Sequence, residues 1–224
     1  MLTPEQIEAN KLYFLSLVQG ITREGVDKDR LIAQLTESDF FDAPASAMYH
    51  NAFRGGLCQH SLNVYHCLCK IAEAMYPPFK DESSESDVQY TSTCPYSEDS
   101  LKIVSLFHDF DKMNKYEKTV RNQKVYSETG SKFDEMGKFD WVSVAGYKKK
   151  EANDTFSIGT HGENSVYMTE TFIPLTTEEH AAILNHHSKY DNPMLDTTSL
   201  YNKYSLACLL HLADMAATYI VEKV

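Results

Sequence analysis

The sequence predicts a mainly helical chain carrying one small β-hairpin. Apolar residues recur at helical spacing over most of its length. Helix start and stop signals, namely Pro4, Gly55-Gly56 and Pro77-Pro78, punctuate those segments. Between about 117 and 160 the pattern changes: Tyr, Val, Trp and Phe become frequent, with Gly, Asn, Asp and Lys between them.

The elements follow in order. Residues 4–18 read as a helix with Pro4 in its first turn and Thr3 as N-cap. Charge pattern and Leu/Ile spacing predict a second helix over about 27–36. Residues 40–51 read as an irregular connection. Gly55-Gly56 opens a long helix to about Met75, which Pro77-Pro78 ends. Residues 79–98, rich in Ser, Asp and Glu, read as an exposed loop and not a domain boundary, because the segments flanking them share candidate site residues. Residues 101–108 are apolar and helical. Residues 139–147 and 155–158 are the two expected strands of the hairpin. Helices resume at about 163–173, 177–187 and 199–222, with Thr176 and Glu179 at capping-box spacing.

A chain of 224 residues, 42% hydrophobic and 12% aromatic, accommodates one domain with an embellishment. We read 1–224 as that domain, 1–44 as an N-terminal helical extension and 117–160 as an inserted hairpin or lid. No apolar stretch reaches membrane-spanning length, and Met1-Leu2-Thr3-Pro4-Glu5 lacks the pattern of a secretory signal, so the expected location is cytoplasmic. Five cysteines, an odd number without a CxxC pair, argue against a disulfide framework. The net charge of −11 disfavours a nucleic-acid partner; the run Lys148-Lys149-Lys150 is expected to decorate a turn.

The chemistry lies in a few polar residues set in apolar helical surroundings. His108-Asp109 ends the run Leu101–Phe107 and offers a nitrogen and a carboxylate oxygen at nearly one point, which suits a divalent cation. Asp214 falls on a helical stripe with Ala207, Leu210, Ala217 and Val221, where an ionised carboxylate is costly unless paired or metal-bound. His60 shares a stripe with Leu57, Val64, Cys67 and Ile71 and faces inward; His66 falls off that stripe and reads as structural. His161 precedes a helix, and His186-His187 ends another, where the helix dipole alone gives histidine a reason to be. These nitrogens can complete a second metal position.

The order His60, His108-Asp109, Asp214 resembles the HD-domain superfamily of metal-dependent phosphohydrolases. Tyr49-His50-Asn51-Ala52-Phe53-Arg54-Gly55-Gly56-Leu57-Cys58-Gln59-His60-Ser61 looks like the family's Gly-Gly-Leu-x-x-His-Ser segment, and Leu106-Phe107-His108-Asp109-Phe110-Asp111-Lys112 like its Leu-x-His-Asp-x-x-Lys segment. His161-Gly162-Glu163-Asn164-Ser165-Val166 and Ala182-Ile183-Leu184-Asn185-His186 are similar to a branch common in phages and gut bacteria. The resemblance covers roughly residues 45–220. It implies an all-α HD-domain helical bundle into which the hairpin is inserted. The chain departs from the family at Phe110-Asp111, where many members carry a small or aliphatic residue and Gly, which leaves substrate contacts there open.

The expected cofactor is a divalent metal ion (Mn, Fe, Co, Ni, Zn or Mg), one or two per chain. His60, His108, Asp109 and Asp214 would hold the first, and Asp109 would bridge to a second on His161 and His186 or His187. The expected catalytic residues are Asp109, Arg54 and Lys112 at the phosphate, and Glu163 as general base; Glu163 equally fits a helix cap. Gly55-Gly56 suits either a phosphate approach or a plain turn. The expected function is hydrolysis of a phosphoester of a nucleoside mono- or triphosphate. Two alternatives stay open: a phosphodiesterase or 3′–5′ exoribonuclease-like activity, and a non-catalytic nucleotide-binding or interaction module. The expected partner is a small phosphorylated molecule, with no membrane and with a homodimer admissible.

Overall fold

A computed structural model of the chain describes residues 1–77, 79–80, 90–91 and 93–223. It is largely helical with a small antiparallel sheet. The helix α1 (Pro4–Gln19) starts where Thr3 and Gln6 form a reciprocal capping box, and α2 (Lys28–Glu37) starts on the side chain of Asp27. Irregular turns lead to α3 (Gly56–Met75). Its entry requires two glycines: Gly55 has φ 81°, and a Cβ on Gly56 would lie 2.0 Å from the Asn51 carbonyl oxygen. A left-handed turn at Gly55 and close packing of Gly56 on Asn51 therefore account for this pair.

Part of the loop expected at 79–98 lies outside the described residues. Within it, β1 (Phe79–Lys80) pairs with β2 (Tyr90–Thr91), and Ser97 caps α4 (Glu98–Phe107). A short 3-10 turn at Phe110–Lys112 leads to β3 (Tyr116–Tyr126), β4 (Lys132–Asp134) and β5 (Gly137–Lys149), in the order β3-β5-β4. Then follow α5 (His161–Glu170), α6 (Thr177–Leu184), α7 (Thr197–Lys203) and α8 (Ser205–Ala216), which a π-helical turn extends over Ala217–Val221. No single helix among the described residues is long and apolar enough to cross a membrane.

Four expectations are corrected. The partner of β5 is β3, in register from Tyr116↔Lys149 to Tyr126↔Phe139. Residues 155–158 are no strand, because the Asn164 side chain takes up the Ile158 N–H (2.8 Å) and turns the chain into α5. The lysine run does not decorate a turn: Lys148 and Lys149 end β5, and Lys148 pairs with Glu117 (2.8 Å). The helix expected over 199–222 is two helices bent by 113° near Tyr204. The cause is a cap supplied from elsewhere: Glu178 on α6 accepts from the Leu206 N–H (3.2 Å) and from the Tyr96 hydroxyl (3.0 Å), so α8 starts afresh.

Two hydrophobic clusters flank one pair of helices. The first gathers Phe14, Leu31, Leu35, Phe40, Phe107 and Phe110, whose rings meet edge-on or tilted, Phe14–Phe40 at 5.0 Å and Phe107–Phe110 at 5.3 Å. The second gathers Val64, Leu68, Val104, Ile183, Leu206 and Leu210. Both α3 and α4 contribute to both clusters, so the chain segments holding His60 and His108 are clamped from two sides. Phe107 and Phe110 bracket His108-Asp109 and sink both rings into the first cluster, which fixes that turn.

One ion pair ties the first part of the chain to α6. Both terminal nitrogens of Arg23 reach Glu179, each at 2.5 Å, and Glu179 is fully buried. Burial would raise the Glu179 carboxyl, but the Arg23 guanidinium and the Thr176 N–H outweigh it and hold it below its usual value. Breaking a buried pair from one side costs about 3 kcal/mol. A folded-state pKa that is depressed gives stability present above the unfolded carboxyl value, about 4.3, and lost as pH falls through the folded one. Glu179→Gln should therefore lower the denaturation midpoint at pH 7. The gap to wild type should close as pH is lowered toward 3; a gap independent of pH would contradict the assignment.

Candidate metal centre

Asp109 follows the C-terminus of α4, with its carboxylate 1% exposed. Its two oxygens face different groups. Oδ2 lies 2.6 Å from Lys112 Nζ and 3.5 Å from Nε2 of both His60 and His108. Oδ1 lies 2.6 Å from His161 Nε2 and 3.5 Å from His186 Nε2. On the Oδ2 side, the Nε2 atoms of His60 and His108 are 3.3 Å apart, and His60 Nε2 is 3.2 Å from Asp214 Oδ1. Donors that share one cation at about 2.0–2.2 Å sit roughly 3–3.5 Å from each other. The spacing around His60 matches that separation. On the Oδ1 side, donor atoms of Asp109, His161, His186 and His187 all lie within 4.8 Å of one another. Asp214 Oδ2 and His187 Nε2, 4.0 Å apart, connect the two sides.

Each of the five imidazoles is tethered through Nδ1. His108 and His186 donate to the carbonyls of Ser105 (2.8 Å) and Ile183 (2.7 Å). His60 donates to Glu222 (3.0 Å), His161 to Asp111 (2.5 Å) and His187 to Asp191 (3.1 Å). Carbonyl oxygens only accept, so His108 and His186 carry their proton on Nδ1 and turn a bare Nε2 inward. Nε2 of His186 is buried and has no hydrogen-bond partner. A buried nitrogen lone pair aimed at a carboxylate that also lacks a spare proton calls for a cation between them. The donor set therefore fits a metal ion.

Electrostatics divide the imidazoles into two kinds. Burial holds His108 down to about 3, against the raising effect of Asp109, and burial with the neighbouring His187 lowers His186 as well. Both shifts favour the neutral ring, which is the ligating form. Burial alone would lower His60 and His161; hydrogen bonds donated to Asp214 and Glu222 carry His60 up to about 10, and those donated to Asp109 and Asp111 carry His161 up to about 9. Burial would raise Asp109 and Asp214, but Lys112 and His108 hold the first well below the usual range and His60 the second. Five carboxylates, those of Asp109, Asp111, Asp191, Asp214 and Glu222, are gathered around the imidazoles of the centre. Among lysines and arginines of the described residues only Lys112 and Lys115 pair with them. In the metal-free chain the raised His60 and His161 imidazoles join these lysines in offsetting the acids, and a divalent cation would take the place of the two ring protons.

The structure thus brings together His60, His108, Asp109, Asp214, His161, His186, His187 and Lys112. It does not bring in the other two candidates. Arg54 pairs with Asp42 (2.8 Å), both side chains 57% exposed, away from the cavity that opens on Asp214 and His187. Glu163 accepts the Thr160 N–H (2.6 Å) and closes the capping box of α5, so the cap and not the base describes it. His66 stacks on Tyr13 outside the centre. Sequence reasoning did not assign His50, Asp111, Asp191 or Glu222 a place here. His50 lies 4.7 Å from the His60 ring between centroids, and Asp111, a doubtful departure in sequence, is buried and orients His161. Asp111 and His50 stood within the quoted motifs; nothing in the local pattern marked Glu222.

No family model, curated protein or solved structure matches the chain. Two expectations follow from the geometry. Asp109→Asn should empty both sides, whereas His187→Ala should spare the Oδ2 side, as metal content by mass spectrometry would read. Arg54→Ala, an exposed pair, should change stability by less than about 1 kcal/mol and leave metal content unaltered.

Proposed function

We propose that the chain is a metal-dependent phosphohydrolase of the HD-domain kind, an HD-type helical bundle with an inserted sheet, acting on a small nucleotide. The observation that carries this reading is the convergence of five Nδ1-tethered imidazoles on Asp109 and Asp214. A purely structural domain gains nothing from burying so many ionisable groups around one point. His60, His108, Asp109 and Asp214 would hold one divalent ion and Asp109, His161, His186 and His187 a second, and such ions would supply polarisation of a phosphoryl group and a lowered pKa for bound water.

The chain's own residues supply the rest. Lys112 is buried, and its ammonium fixes Asp109 Oδ2 while adding a positive charge beside the phosphate position. Asp111 and Asp191 hold the rings of His161 and His187, which keeps the donor atoms preorganised. A cavity of about 760 Å³ opens on Asp214 and His187, with Tyr190, Tyr219 and Lys223 at its wall. That size suits one small molecule. Tyrosine rings offer planar surfaces to a base, and Lys223 offers a second cation to a phosphate.

Purified protein loaded in turn with Mn²⁺, Co²⁺, Ni²⁺ and Mg²⁺ should release phosphate from nucleoside mono- or triphosphates, and Asp109→Asn should lose at least about 100-fold of that rate. Cleavage of bis(p-nitrophenyl) phosphate without phosphate release would mark a diesterase. Wild-type turnover by Asp109→Asn would defeat the proposal.

A further inference from the structure

The π-helical turn after α8 places a carboxylate where an α-helix would place an alkyl group. Val221 is seven residues beyond Asp214, about two α-helical turns, so an uninterrupted helix would put both on one face. A π-turn absorbs one extra residue. Here the Glu222 N–H donates to the Ala217 carbonyl (2.9 Å), and the phase of the helix slips by one position. Val221 turns out and is 56% exposed, while the Glu222 side chain takes the inward position and is 1% exposed.

At that position Glu222 Oε1 accepts from His60 Nδ1 (3.0 Å) and from Asn63 Nδ2 (2.9 Å). Both partners lie on α3, so the carboxylate is fixed against the helix that carries the ligand. Among the described residues it has no lysine or arginine partner, and its Oε2 is buried without a hydrogen bond. Its charge is thus directed at the His60 ring. Of the two imidazoles on the Asp109 Oδ2 side, His108 leans on a backbone carbonyl and only His60 leans on an anion.

On the metal-dependent reading above, we propose that Glu222 is a positioning residue: through His60 it sets the cation affinity of the Asp109 Oδ2 side, which makes the turn at Ala217–Val221 a working part of the centre. An anion on Nδ1 holds the ring and strengthens Nε2 as a donor, and loss of such a partner weakens metal binding by about 10–100-fold.

The test is a cobalt titration of wild type, Glu222→Gln and Glu222→Ala, followed by calorimetry and by the visible d–d bands. Glu222→Gln keeps an acceptor for Nδ1 but loses the charge; Glu222→Ala loses both. Affinity should fall in the order wild type, Gln, Ala, with altered d–d bands and unchanged helical circular dichroism. A merely structural role would lower the melting temperature and leave cobalt affinity where it was. Wild-type affinity in both variants overturns the proposal; if Glu222→Ala does not fold, the isosteric Glu222→Gln decides alone. A wild type that takes up no cobalt overturns the metal reading and this proposal with it, an outcome distinct from cobalt binding that ignores Glu222.

Discussion

One buried carboxylate governs this structure. Asp109 has two oxygens and no access to water, and each oxygen faces its own set of nitrogens. Taking such a group out of solvent is tolerable only when compensating charge and hydrogen-bond donors surround it. The surroundings of Asp109 follow from that requirement. Lys112 reaches it from one turn ahead, His60 and His108 from the α3–α4 pair, and His161 and His186 from α5 and the end of α6. The aromatic cluster beneath serves the same end, since Phe107 and Phe110 hold the turn on which the carboxylate stands.

The order in which the chain assembles this centre explains the layout of the elements. His60 and His108 come from helices that share both hydrophobic clusters, so their separation is set by core packing. His161 opens α5 and depends on Asp111, which is held in turn by Lys115 and Ser165. The sheet leaves the body just after Lys112 and returns just before His161. Its strands are largely exposed on both faces, and what they add lies at their two roots.

Much of the helical frame and of the centre was legible in the sequence, for identifiable reasons. A polar pair at the end of an apolar run, as in His108-Asp109, and an acid on an apolar stripe, as in Asp214, stand out against hydrophobic surroundings. Three kinds of feature did not stand out. The strand β3, YEKTVRNQKVY, faces solvent on both sides and carries little alternation, so its pairing with β5 was hidden. Arg54 is close to the motif in sequence but turns to Asp42, because adjacency along a chain does not fix direction past a left-handed glycine. The stripe that included Val221 assumed an unbroken α-period, which the π-turn violates. Periodicity reports the regular part of a helix and is blind to a change of phase.

The borrowed cap at the start of α8 has a mechanical consequence. Glu178 grips the first turn of α8 from the first turn of α6, and further along the His211 ring donates to the carbonyl of His186 (2.6 Å) just past the other end of α6. The two helices are pinned at two points, like a ladder with two rungs, and cannot slide past each other without breaking one. His186 hangs from one rail and Asp214 from the other. These two bonds couple opposite walls of the centre, and both lie outside the side-chain atoms that face its interior.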